Sequence, residues 1–145
     1  MDILPNFKER NSQILNGSYI LVIFLSSDAN IKIGRLGTLL FKKGYYYYVG
    51  SAMGNSNSSS LENRVKRHLR FPEQKKNHWH IDYLLENNEV KIIKICLIPN
   101  KKQLECVLAK ELIQDSGAYI KNFGSSDCNC KSHLIYFENI DNYFL

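Results

Sequence analysis

Seven consecutive apolar residues, Tyr19–Leu25, constrain this chain more than any other feature. Side chains of a strand alternate between its two faces. Here both sets are apolar: Tyr19, Leu21, Ile23 and Leu25 on one, Ile20, Val22 and Phe24 on the other. A run of this kind predicts a strand buried on both faces. It falls far short of the ~20 residues that cross a bilayer. Asp2, Glu9 and Asn11 precede it, and no small-residue cleavage pattern follows, so it does not read as a secretory signal. The expectation is a cytoplasmic protein with no membrane association. With 145 residues the chain has the length of one domain, enough to bury roughly 68–70% of its unfolded surface. Its 44% hydrophobic and 23% charged content excludes a disordered, collagen-like or coiled-coil chain.

The rest of the pattern is that of an α+β fold. Residues 1–16 have no clear period and read as an extension; residues 17–145 read as a single domain without internal repeats. Ile31–Ile33 and Leu39–Phe41 predict short strands around Gly34 and Gly37. Tyr45–Val49, between Gly44 and Gly50, predicts a second firm strand, with Tyr46 and Tyr48 on one face and Tyr45 and Tyr47 on the other. This order suggests an antiparallel meander. Gly54–Ser60 is a Ser/Asn-rich loop leading to a helix over Leu61–Phe71, with Ser60 as its N-cap and Leu61, Val65 and Leu69 as its apolar stripe. A second helix is expected from about His78 to Leu85, a strand over Val90–Ile98, a third helix over Lys102–Asp115 ended by Ser116-Gly117, and a last strand over His133–Phe137. The expected architecture is a small, mainly antiparallel central sheet flanked by about three helices.

Charge is concentrated. Arg64, Lys66, Arg67, Arg70, Lys75 and Lys76 face a single acid, Glu73, between residues 64 and 80, so this stretch holds the chain's whole net charge of +5. Three of the four histidines, His68, His78 and His80, fall there too. Such a patch suggests a polyanionic partner; a solvated helix face is the plainer explanation. Arg64 and His68 are spaced i and i+4 and share one side of the helix. With Tyr19, Tyr48 and Glu105, they supply the residue types that metal-assisted phosphodiester hydrolysis needs. A single carboxylate suits Mg²⁺, which keeps several of its waters. An arginine stabilises charge on phosphate oxygens in a bidentate geometry that lysine lacks. A tyrosine or histidine orients or deprotonates water, provided that nearby positive charge, which the basic patch supplies, lowers the tyrosine's pKa.

The order G-S-Y, Y-Y-V-G-S-A, R-V-K-R-H and a later E resembles the GIY-YIG nuclease superfamily. More narrowly, Gly17–Phe137 looks like the Uri-superfamily endonucleases, through H-W-H-I-D-Y-L-L at His78–Leu85 and F-G-S-S-D-C-N-C-K-S-H-L at Phe123–Leu134. The resemblance implies a metal-dependent endonuclease acting on DNA more readily than RNA, with Mg²⁺ or Mn²⁺ as cofactor. It implies catalytic roles for Tyr19, Tyr48, Arg64 and His68, with the base assigned to the tyrosine pair, and a metal-binding role for Glu105. Lys66, Arg67, Arg70, Lys75 and Lys76 become the nucleic-acid contacts. Ser18 stands in place of the middle Ile of GIY, and the long Tyr19–Tyr48 connection predicts an extra hairpin. Specificity in so small a nuclease would come from dimerisation or a partner protein.

Two points stay open at this level. If Leu104, Val107, Leu108 and Leu112 mark the buried stripe of the third helix, Glu111 lies inside it and competes with Glu105, which is preferred as the ligand. Cys128, Cys130 and His133, with His78 and His80 as remote partners, could hold a structural zinc. The spacing C-x-C-x-x-H is not a strong zinc signature, however, so the preferred reading has reduced thiols packing with the Gly124–Asp127 turn against the His78–Tyr83 helix. Cys96 and Cys106 read as ordinary buried thiols, and Asp82 and Asp127 as reserve acids. Against the enzyme stand a non-catalytic nucleic-acid-binding module and a zinc-stabilised interaction domain.

Overall fold

The computed structural model describes residues 16–53, 60–70, 76–126 and 128–140. Most of the expected extension, most of the 54–60 loop, the expected helix end at Phe71, and the candidate residues Lys75 and Asp127 lie outside the described residues.

The doubly apolar run forms the strand β1 (Gly17–Leu25). Strand β4 (Gly44–Ala52) pairs along one edge and β5 (Val90–Pro99) along the other, both antiparallel. Strand β6 (Leu134–Phe137) joins β4 and completes the order β5-β1-β4-β6. With both edges of β1 occupied, β2 (Ala29–Lys32) and β3 (Thr38–Phe41) do not pair with it. They form a separate two-stranded hairpin. The expected meander is therefore corrected: the extra hairpin is an insertion between two directly paired strands.

Both faces of the sheet are covered, as the apolar run requires. Tyr19, Leu21, Ile23, Tyr46 and Tyr48 pack with helices α1 (Leu61–His68) and α2 (His80–Leu85). Ile20, Val22, Tyr47 and Val49 pack against α3 (Glu105–Ser116) on the opposite face. The alternation of the four tyrosines is thus as their period demands.

Ser60 caps α1 by accepting from the Asn63 N–H at 3.4 Å. The inward stripe, however, is Leu61, Val65 and His68, while Leu69 is 39% exposed. At about 100° per residue, His68 lies about 20° from Leu61 and Leu69 about 80° from it. Helix α3 needs a larger correction. Ala109 and Leu112 are buried, Val107 is 55% exposed and Glu111 is exposed. The buried stripe is turned by about 90° from the leucine-based expectation, because small Ala109, not Val107, faces the sheet. Gly117 ends α3 in the left-handed region at φ 75°, donating its N–H to the Ile113 carbonyl, as the Ser-Gly signal implied.

Candidate active site

The β1–β4 register sets Tyr19 directly opposite Gly50 and Leu21 opposite Tyr48. Tyr19 and Tyr48 are therefore diagonal neighbours on one face, with ring centroids 6.4 Å apart. The absence of a side chain at Gly50 lets the Tyr19 ring lie across the β4 backbone. A Cβ there would meet Tyr19 Cζ at 2.3 Å and the hydroxyl at 2.4 Å. In Y-V-G the glycine therefore makes room for the tyrosine of the neighbouring strand.

Helix α1 turns His68 inward, where the Tyr19 hydroxyl and His68 Nε2 are hydrogen-bonded at 2.6 Å. Arg64, one turn earlier, donates to the Ser51 carbonyl at 3.3 Å and lies 4.7 Å from the centre of the Trp79 ring. Trp79 also carries Arg67 at 4.4 Å. Arg67 forms a fork on the carboxylate of buried Asp82, at 2.8 and 2.9 Å, and donates to the Lys76 carbonyl. Its side chain is only 19% exposed, so it is an internal strut. That corrects its place among the outward nucleic-acid contacts. Asp82 also accepts from the N–H groups of His78 and Trp79, which makes it the organiser of the α2 entry rather than a reserve acid.

Glu105 opens α3. One carboxylate oxygen accepts from the Gln103 amide at 2.6 Å, and the other lies 3.9 Å from His133 Nδ1. Burial lowers the His133 pKa against the opposing pull of Glu105, so at neutral pH this contact is polar and not an ion pair. Tyr19, Tyr48, Arg64 and Glu105, from four separate elements, line one cleft of about 390 Å³. Exposed Glu111 is not among its lining residues.

Burial raises the pKa of both tyrosines well above the ordinary phenol value. Nearby Arg64 works in the lowering direction without overcoming it. The expectation that the basic patch would lower a tyrosine's pKa is therefore corrected, because burial dominates. At Asp82 burial would raise the pKa, but the Arg67 hydrogen bond and the two backbone N–H groups outweigh it and hold the carboxyl below its ordinary value.

The remaining candidates divide. Lys66, Arg70 and Lys76 are exposed, Lys66 with Glu62 at 3.2 Å. His80 Nδ1 accepts the Gly124 N–H at 2.8 Å and its ring packs against Phe123, so this end of the loop docks on α2, whereas the thiols expected beside that helix gather instead with Cys106 and His133. His78 is exposed. Neither histidine joins the cysteines. Cys106, read from the sequence as an ordinary buried thiol, instead meets Cys130, paired as a disulfide with Cα atoms 6.0 Å apart. Docking the 123–133 loop beside the start of α3 brings the two together. Cys96 and Cys128 are free thiols. Trp79 is a site residue that the sequence reading does not include. The spacing of Trp79 from two arginines across a helix break carries no period that would reveal it.

Among the described residues, no helix is long and apolar enough to cross a membrane. A family model for a domain of unknown function, DUF123, matches residues 18–144. No curated protein and no solved structure matches the chain.

Proposed function

The chain belongs to the DUF123 family, and we propose that it is a cytoplasmic, metal-dependent endonuclease of GIY-YIG type that hydrolyses phosphodiester bonds, in DNA rather than RNA. One observation carries this reading: two tyrosines, an arginine and a glutamate from β1, β4, α1 and α3 converge on a single cleft. A binding surface needs neither a buried tyrosine–histidine pair nor a carboxylate that would repel phosphate.

Arg64 is held by Ser51 and Trp79, so its planar donors are preorganised to take a non-bridging phosphate oxygen. Tyr48 orients the attacking water from the neighbouring strand, on the same face as Tyr19. Tyr19 takes the water's proton as it passes its own hydroxyl proton to His68 Nε2. The route holds the proton on His68 in place of a phenolate on Tyr19; as the water oxygen bonds to phosphorus, the bond from phosphorus to the leaving oxygen breaks, and that oxygen takes a proton from solvent. Glu105, with a side chain 17% exposed at the cleft, fits a hard divalent cation that uses few protein ligands. Bound there, Mg²⁺ or Mn²⁺ would offset phosphate charge and acidify water. Lys66, Arg70 and Lys76 supply salt-sensitive affinity, and a second copy or a partner protein supplies specificity.

The test is incubation of the protein with labelled single-stranded, duplex and branched DNA and with RNA, in Mg²⁺ or Mn²⁺ and in chelator. The expected result is metal-dependent cleavage of at least one DNA. Salt-sensitive binding without cleavage of any substrate would replace the enzyme with a non-catalytic nucleic-acid-binding module that retains the fold.

A further inference from the structure

The disulfide accounts for only part of what surrounds it. Cys106, Cys128, Cys130 and His133 each present one ligand atom, and these atoms all lie within 4.8 Å of one another. His133 is 3% exposed, and its Nε2 faces two sulfurs, Cys128 Sγ at 3.5 Å and Cys106 Sγ at 3.7 Å. A disulfide between Cys106 and Cys130 needs neither a third thiol nor a buried imidazole. A tetrahedral ion at ~2.3 Å from sulfur and ~2.0 Å from nitrogen sets each sulfur roughly 3.5 Å from the nitrogen. The two observed separations match that edge.

We propose that, in the reduced protein, Cys106, Cys128, Cys130 and His133 bind one Zn²⁺ ion as a closed structural site. Three soft thiolates and an imidazole select zinc over the hard cation suited to Glu105. Four protein ligands leave no open position, so the ion is structural. His133 binds through Nε2, which leaves Nδ1 on the side of Glu105, whose carboxylate lies 3.9 Å away. The backbone already shapes the loop for this. The His133 N–H donates to the Phe123 carbonyl, and the Cys128 N–H to that of Ser125. The ion ties the 123–133 loop to the first turn of α3, and with it sets Glu105 relative to Tyr48. The disulfide is the alternative use of two of the same sulfurs and excludes the ion. None of this depends on the nuclease reading.

The full-length protein, produced in zinc-supplemented medium and purified with a phosphine reductant, is assayed for metal by mass spectrometry. It is then exchanged with Co²⁺ and examined by absorption spectroscopy. The expected result is about one zinc per chain, with thiolate-to-cobalt charge-transfer bands and the visible bands of a tetrahedral ion. Cys128→Ser abolishes the cobalt bands, whereas Cys96→Ser leaves them unchanged. Cys128 is outside the disulfide, so its substitution separates the two uses of the cluster. The proposal is overturned if the reduced protein binds neither metal. It is equally overturned if Cys128→Ser leaves zinc content and cobalt spectrum intact.

Discussion

Replacing Gly50 by alanine tests whether the tyrosine on β1 acts from a position that β4 fixes. The added Cβ would lie 2.3 Å from Tyr19 Cζ. Reaching an ordinary contact of about 3.4 Å therefore displaces the ring by about 1 Å. Tyr19 is 2% exposed, and the interior is too closely packed to absorb that shift. Overpacking of this kind costs about 1–3 kcal/mol. Alanine recovers roughly 0.5–1 kcal/mol of it, because glycine is the poorer residue in a strand. Gly50 does not have a positive φ, so alanine brings no backbone strain. The net loss of up to about 2.5 kcal/mol lowers Tm by up to roughly 10 °C. Displacing the hydroxyl from its 2.6 Å contact with His68 lowers the single-turnover cleavage rate by roughly 10²-fold, the order that a 1 Å misplacement produces. Thermal melting and single-turnover cleavage are measured on the same preparations. In a Tyr19→Phe background, the glycine substitution should still lower Tm but add little further loss of rate. Full activity in a Gly50→Ala protein with the expected fall in Tm would refute the reasoning, since Tyr19 would then be packing alone.

Further predictions concern the arginines and the patch. Arg67→Ala strips the buried Asp82 carboxylate of its fork and destabilises the fold by about 3 kcal/mol, the lower end for a broken buried pair because Arg67 is partly exposed; urea melts measure it. Asp82 titrates lower in the folded than in the unfolded chain. Its stabilisation is therefore complete above pH ~4 and lost as pH falls through the folded value. Melts between pH 2 and 6 should show that acid-side loss in the wild type and much less of it in Arg67→Ala. Lys66→Ala and Arg70→Ala should each reduce the slope of log affinity against log salt by about 0.9, with Tm little changed, by DNA titration at several salt concentrations.

Much of this architecture is legible in the sequence because it follows from short-range periodicity. A run apolar on both alternating sets has to be a doubly covered strand, and the four tyrosines of β4 divide between the faces by the same rule. What was not legible depends on how elements meet. That β2 and β3 do not pair with β1 depends on β4 and β5 occupying both of its edges, which no local pattern encodes. The buried face of α3 is hidden in the sequence because its leucines outweigh Ala109, although a small residue is what allows the helix close to the sheet. His68 was nearer to reach: helical angles alone place it closer to Leu61 than Leu69 is. The candidate site divides in the same way. Motif order put Tyr19, Tyr48, Arg64 and Glu105 in one constellation, and all four line the cleft. The internal role of Arg67 requires Asp82, which is 15 residues away. Cys106 reaches Cys130 across a sequence separation of 24, beyond any spacing that a short metal motif would display.

The measurement that bears most directly on the central claim is single-turnover DNA cleavage in Mg²⁺ by the wild type and by Arg64→Ala, Glu105→Ala and Tyr19→Phe. Melting and DNA affinity are recorded for each protein. The account predicts that the wild type cuts and that each substitution lowers the rate by roughly 10²–10³-fold, with folding and binding largely retained. Cleavage that survives all three substitutions would contradict it, because the cleft formed by these residues would then not be where the chemistry occurs.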